Sequence, residues 1–512
     1  MATTVTDGTA TLIAGTLTAS TVTDVTATLT AGMLTGNVTG DVTGNLIGDV
    51  TGDLTGNVTA TTAVIGETTT SYAWTQSQLG SDISIIAGND AGQSISISSD
   101  GTIVAISKTS YSSYRGWTNV YEYDGTDWNQ LGSSMVGLTA NEATGYCVSL
   151  SSDGTIVAIG SAASGVVRIW EYDGSDWNQL GDDIDEESAG DNGGFSVSLS
   201  SDGTIVAIGG PYNDDTATNA GHVRIFEWDG TSWNQLGDDI DGAAKNDNSG
   251  FSVSLSSDGT IVAVGARYND GGGDSNAGHV RVWEWDGTSW NQLGDDIYGE
   301  GAYDYSGWSV SLSSDGTIVA IGAPYNDNYT GHVRVYEYDG TDWNQLGDDI
   351  DAAVQYDRFG YSVSLSGDGT IVAGGAYLND DNGSKSGHVR LFEWDGTDWN
   401  QIGSSIVGTT GYELGFSVSL SDINTSREIT VIAHANAPST STSGYAVIYK
   451  FTEFSTTTIT DGTLTTNNII LEATEPSAED DSGTVGEIRV DDDYIYVYTS
   501  GSVWKTLELT SF

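Results

Sequence analysis

Apolar and polar residues alternate one for one through most of the chain, and Asp-Gly pairs cut the alternation at short intervals. The clearest stretch spans residues 251–294: FSVSLSSDGTIVAVG, an acidic loop, then GHVRVWEWDGTSWNQLG. A period of two puts successive side chains on opposite faces of a strand, and Asp-Gly supplies the left-handed backbone that tight hairpins need. The stretch therefore predicts four strands: A at 251–255, B at 260–265, C at 279–285 and D at 290–293.

The unit recurs. The aspartate of its A–B turn stands at Asp100, Asp153, Asp202, Asp258, Asp315 and Asp368, with a degenerate copy near Asp422. A four-stranded unit of this size cannot bury its own faces and must stack against copies of itself, which predicts a closed ring of blades. The tryptophan that opens strand D counts independently: Trp74, Trp128, Trp177, Trp233, Trp290, Trp343 and Trp399. The first precedes any A strand, while the last unit has A, B and C but no D. The Trp74 strand is thus expected beside 445–451, closing the ring and removing its open edge. The fold class is all-β: a seven-bladed β-propeller over 71–454, flanked by fibrous β segments and a small C-terminal β cap.

Residues 1–70 are rich in Thr, Val and Gly, and from Leu34 a tetrapeptide repeats as LTGN-VTGD-VTGN-LIGD-VTGD-LTGN. In an extended strand, Val38, Val42, Leu46, Val50, Leu54 and Val58 share one face. So thin an apolar strip needs a partner, and intertwining with identical chains, as in a trimeric shaft, supplies one. A flexible linker is the alternative, though it has no need of strict period-four Val and Leu. Residues 455–512 read as a second short piece of shaft, an acidic link at 475–481, and a β cap with Tyr494, Tyr496 and Tyr498 in alternation after a turn at 491–493.

Charge narrows the partners. With 71 acidic residues against 15 basic, the formal net charge is −56. Such a surface repels nucleic acid and anionic membranes and attracts divalent cations; solubility alone also accounts for it. No segment approaches the ~20 apolar residues of a membrane span. The N-terminal MATTVTDGTA lacks the basic and apolar regions of a Sec signal. Cys147 is the single cysteine and replaces a repeat serine, so no intrachain disulfide is expected.

Candidate chemistry lies in the B–C and D–A connections, where the copies differ: 181–194, 211–221, 267–278 and 294–307. Their carboxylates, Asn and Tyr suit recognition of a carbohydrate or protein, and Tyr212, Tyr268, Tyr298, Tyr303, Tyr305, Tyr325 and Tyr329 are the ligand-binding candidates. Solvated loops without a ligand are the competing reading. Asp214, Asp270, Asp327 and Asp380 each follow an Asn, and such hard oxygen donors suit calcium, although Asn-Asp also forms side-chain turns without metal. His222, His279, His332 and His388 occupy one repeat position, as do Arg168, Arg224, Arg281, Arg334 and Arg390. Equivalent positions on neighbouring blades stand too far apart to share a zinc ion. Structural roles are expected, with the arginines paired to acids.

The repeat resembles the FG-GAP repeat of integrin-alpha-type propellers. Phe359, Gly360, Tyr361, Ser362 and Val363 match its opening, Gly322, Ala323 and Pro324 its Gly-Ala-Pro, and residues 331–336 its Gly-x-Val-x-Val-Tyr strand. The Asp-x-Asp-x-Asp-Gly calcium loop of many such repeats is missing here; a two-residue Asp-Gly turn joins A to B. The resemblance therefore implies no calcium at that turn, and no cofactor is expected. The flanks, through VTGNVTGD and GEIRVDDDYIYVYTSGSVWKTLEL, resemble tail-fibre and other virion appendage proteins of marine phages. That resemblance implies a homotrimer at the virion surface, with virion structural proteins and a host-surface glycan or protein as partners. The expected role is a structural appendage for host attachment and not an enzyme. A glycan depolymerase acting through the acidic loop face and a cellular integrin-like adhesion propeller are the alternatives. The Trp-Asp-Gly-Thr-Ser-Trp hairpin resembles a sialidase Asp box, but its spacing differs.

Overall fold

In the computed structural model, residues 73–85, 94–109, 113–436 and 443–453 are described in full, and strand pairing alone is described in parts of both flanks. The acidic link at 475–481 and the turn at 491–493 lie outside the described residues. The chain divides into two compact units, Tyr72–Ser455 and Met1–Ser71 with Thr456–Phe512.

The larger unit is a ring of seven antiparallel sheets, each a meander of four strands. Blade 4 comprises A (Ser249–Leu255), B (Ile261–Ala266), C (His279–Trp285) and D (Trp290–Gln292), close to the sequence expectation. One feature was not expected: D breaks at Gly294, which has φ +72°, and rejoins C as Ile297–Tyr298. At the break the second Asp of Gly-Asp-Asp folds back on the glutamine four residues earlier, as in Gln292 Nε2 to Asp296 Oδ1 at 2.8 Å. Blades 2, 3 and 5 repeat this break.

The ring closes as the Trp74 count predicts. Blade 7 takes A, B and C from Leu414–Leu420, Glu428–Ala435 and Gly444–Ile459, and its fourth strand is Thr68–Gln78. Ile83–Ile85 continues the pairing, with Ile85 opposite Gly444.

Apolar faces pack between blades. Val223 and Ile225 of blade 3 meet Val253, Leu255, Val262 and Val264 of blade 4, all buried. The innermost strands solve a second problem, because their channel-side N–H groups have no ladder partner and a buried orphan is costly. Serines of the Ser-Val-Ser-Leu strand supply acceptors: Ser149 Oγ takes Leu199 N–H and Ser254 Oγ takes Leu312 N–H, both at 3.0 Å. Below them a backbone belt runs from Ser99 through Ser152, Ser201, Ser257 and Ser314 to Gly367 at 2.7–2.9 Å, and Asp422 returns it to Ser99. At the rim, the D-strand tryptophans of blades 1 to 6 staple each blade to the one before, as Trp233 Nε1 does to the carbonyl of Leu180 at 2.9 Å.

The strand-C histidines are 1–3% exposed. The strand-C arginines meet the expectation in part: Arg168 and Arg281 pair with Asp183 and Asp296, Arg334 pairs with Glu300 at 3.8 Å and also donates to a backbone carbonyl, and Arg224 and Arg390 donate to backbone carbonyls.

Within the smaller unit, Leu34 pairs with Val50, Val38 with Leu54 and Val42 with Val58, all parallel. Every pair is offset by whole tetrapeptides, so apolar positions fall in register with apolar ones and Thr with Thr within a single chain. Ile488–Val490, Tyr494–Tyr498 and Trp504–Glu508 form a three-stranded antiparallel sheet.

Candidate functional site

The B–C loops and D–A connections meet on one face of the ring, held by buried struts. Asn213 Nδ2 donates to Asp191 Oδ2 at 3.0 Å, Asn269 to Asp247 at 2.9 Å, Asn326 to Asp304 at 3.3 Å and Asn379 to Asp357 at 3.0 Å. Burial raises the carboxyls of Asp247 and Asp357 above the usual range. Three of the calcium candidates close their own loops: Asp214, Asp270 and Asp380 accept the N–H groups of Asn219, Asn276 and Lys385 at 2.7–2.8 Å. Asp327 sits in a left-handed turn with φ 48°. Among the described residues, the two groupings of imidazole and carboxylate with metal-ligand spacing contain none of these four.

Aromatic residues opening strand A form an arc around the channel mouth. Tyr146, Phe195, Phe251, Trp308, Tyr361 and Phe416 follow one another at centroid spacings of 4.7, 4.7, 5.1, 5.3 and 5.0 Å. Two cations cap this arc. The Arg267 guanidinium lies 3.6 Å from the ring centre of Phe251 and 4.3 Å from that of Tyr268. Burial lowers its pKa, and neutral tyrosines, among them Tyr212, stand around it. Arg358 donates to Tyr377 Oη at 2.6 Å and Tyr325 Oη at 3.2 Å. The same burial pushes Tyr146 up to about 12.

Above the arc, blades 4 to 6 build a tyrosine cluster. Tyr268 meets Tyr305 at 5.3 Å, Tyr305 meets Tyr325 at 4.8 Å, and Tyr325 meets Tyr329 at 5.4 Å. Tyr329 stacks on Tyr356 at 5.9 Å, and Tyr303 lies 6.5 Å from Tyr305. Ala302, Tyr303, Asp304, Tyr305, Tyr325, Asp327, Asn328 and Tyr329 line a cavity of about 480 Å³. Of the seven tyrosine candidates, five come together here. Tyr212 faces Tyr146 and Arg267, and Tyr298 stands apart, its hydroxyl on Asp296 at 3.0 Å.

The backbone under these tyrosines is unusual. Tyr303, Tyr305, Tyr329 and Tyr356 have φ of 69°, 55°, 70° and 74°. At the matching repeat positions, the same left-handed geometry is carried by Asn246, Asn248 and Asn219, residues that tolerate it. A bulky ring there costs roughly 1 kcal/mol or more each. Tyr356, Arg267, Arg358 and Trp308 were missed as candidates; their signal is departure from the repeat, since Arg267 stands where blades 3 and 5 have Pro211 and Pro324.

The FG-GAP repeat family model matches residues 351–392, the connection into blade 6 and its strands A to C. No curated protein sequence matches the chain. Solved structures similar to it include the β-propeller domain of Cps50 (Swd1) from Myceliophteria thermophila, with a TM-score of 0.45 and 10% identity over 73% of this chain and 99% of that one. A putative 6-phosphogluconolactonase from Bacteroides uniformis gives 0.46 and 12% over 62% and 86%. Hydrazine synthase of Kuenenia stuttgartiensis gives 0.45 and 13% over 75% and 98%. The chain is thus a seven-bladed β-propeller with FG-GAP-like repeats. No helix among the described residues is long and apolar enough to cross a membrane.

Proposed function

We propose that the propeller is a recognition module that binds a host-surface glycan at the tyrosine cluster of blades 4 to 6, without cleaving it. The observation that carries this reading is the placement of three tyrosines on left-handed backbone, Tyr303, Tyr305 and Tyr329, around one cavity, with a fourth, Tyr356, stacked on Tyr329. Left-handed backbone recurs at these loop positions around the ring, but here alone among the described residues do several bulky rings carry it side by side, where blades 3 and 4 have Asn219, Asn246 and Asn248, and strain gathered at one cavity is the mark of a site kept for binding. Exposed Tyr303, Tyr329 and Tyr356 offer faces for sugar rings, and Asp327 and Asn328 offer hydroxyl partners.

The carrier in this proposal is a virion appendage, trimeric through the flanks. The tetrapeptide register, which pairs apolar positions with apolar ones inside one chain, supports a fibrous β segment, and the trimer rests on the resemblance of the flanks to virion appendages. Incubating the full chain with immobilised host polysaccharide tests the binding reading: saturable retention supports it, and sustained release of reducing ends replaces it with a depolymerase. Mass in solution tests the carrier, with three chains expected and a stable monomer of 53.5 kDa contradicting it.

A further inference from the structure

Where strand C begins, the blades fall into two kinds. In blades 2 and 4 the strand-C arginine grips the second Asp of the Gly-Asp-Asp break with both ends of its fork, Arg168 on Asp183 and Arg281 on Asp296, all at 2.9 Å. In blades 3 and 5 it turns away, Arg224 Nη2 donating to the carbonyl of Asp185 at 2.6 Å and Arg334 Nη2 to that of Tyr298 at 2.7 Å. The aspartate left free faces histidine instead. Asp239 Oδ2 lies 3.2 Å from His222 Nδ1, and Asp349 Oδ2 lies 3.3 Å from His332 Nδ1.

A glutamate from the preceding D–A connection completes each group. Glu187 and Glu300 each place an oxygen 4.0 Å from the same imidazole nitrogen, and the other oxygen of Glu300 lies 3.8 Å from Arg334 Nη1. In blade 3, Asp215 of the B–C loop joins, and within each group the ligand atoms lie within 4.8 Å of one another. The glutamate position is Ala243 before blade 4 and Ala353 before blade 6. Glutamate therefore occurs in the two blades whose arginine leaves a Gly-Asp-Asp aspartate free.

The histidines add an independent observation. His222 and His332 are 2% and 1% exposed, and their Nδ1 atoms, like those of His279 and His388, make no hydrogen bond; among the described residues only these two point into a group of carboxylates at metal-ligand spacing. A buried polar nitrogen without a partner is costly, and so is a knot of carboxylates in a chain this acidic. One bound cation relieves both. Imidazole nitrogen with carboxylate oxygen is the donor set of zinc and its first-row neighbours, not the all-oxygen set of calcium.

We propose that blades 3 and 5 each bind a divalent transition-metal ion of the zinc class. His222, Asp239, Glu187 and Asp215 hold one ion, and His332, Asp349 and Glu300 hold the other. Each ion ties the connection entering a blade to that blade's C and D strands. In blade 5 that connection also carries Tyr303, so the metal fixes one wall of the tyrosine cavity.

The test is calorimetric titration of the full chain with zinc in excess magnesium, which occupies the diffuse surface carboxylates. Two saturable sites are expected. Glu187→Gln and Glu300→Gln, at exposed positions that spare the fold, each weaken one site at least tenfold and leave the other intact. Anomalous diffraction from zinc-soaked crystals is expected to peak beside His222 and His332. Absence of saturable binding, zinc uptake unchanged in the double glutamine variant, or anomalous peaks confined to other carboxylates overturns the proposal.

Discussion

Trp74 Nε1 donates to Glu393 Oε2 at 3.0 Å, across 319 residues of sequence. This contact replaces, at the ring's seam, the tryptophan-to-carbonyl staple that joins the other blades. The same carboxylate receives Arg427, whose guanidinium lies 5.5 Å from the centre of the Trp74 ring and also pairs with Glu453. At the rim, the seam is thus held by a charged network where the other joints use the neutral tryptophan-to-carbonyl bond.

Trp74→Phe keeps the ring but removes a hydrogen bond to a charged acceptor. The expected cost is about 1.5–3 kcal/mol in urea denaturation, against about 1 kcal/mol for Trp233→Phe, which loses a neutral bond. Deleting residues 72–85 uncovers the edge of blade 7 strand C, and dimers or aggregates are expected by size-exclusion chromatography.

Ser254→Ala leaves the Leu312 N–H without its acceptor at a buried joint. The expected loss is about 1–3 kcal/mol, read as a lower urea midpoint. Ser289→Ala on the exposed C–D hairpin, where Ser289 Oγ sits 3.4 Å from Asp286, is expected to change little.

Acid destabilises the ring through its buried imidazoles. Burial, with Arg281 and Arg390 alongside, lowers His279 and His388 to about 4 despite Asp296 and Asp381 nearby, and burial lowers His434 to about 3. Their unfolded pKa lies near 6.5, so between that value and about 4 the unfolded chain binds more protons. Stability is therefore full above pH ~6.5 and falls as pH drops, by up to about 1.4 kcal/mol per unit for each histidine. The raised carboxyls of Asp247 and Asp357 titrate the other way and offset part of the loss near the acid end. Urea midpoints from pH 7 to 4.5 check this, and His434→Gln is expected to flatten the slope.

The architecture was legible because its signals are local and repeated. Asp-Gly turns, period-two strands and a separate count of D-strand tryptophans lead to the ring and to its closure by Trp74. The break in strand D was not legible, since it depends on Asp296 folding back on Gln292, a side-chain event that Gly-Asp-Asp does not announce. Five of the seven tyrosines sit together because the variable loops share one face. Arg267 and Arg358 escaped notice because each is a single departure from an otherwise faithful repeat. Glu187, His222 and Asp239 come from three separate segments, and only the ring brings them together.

The most direct test of the binding account sets stability against affinity at the strained positions. Tyr303→Asn and Tyr329→Asn place at φ 69° and 70° the residue that other blades use there. Each variant is expected to raise stability by roughly 1 kcal/mol as strain is relieved. Together they are expected to weaken retention on host polysaccharide at least tenfold, about 1.4 kcal/mol. A double variant that is less stable than the parent yet binds the glycan undiminished contradicts the account.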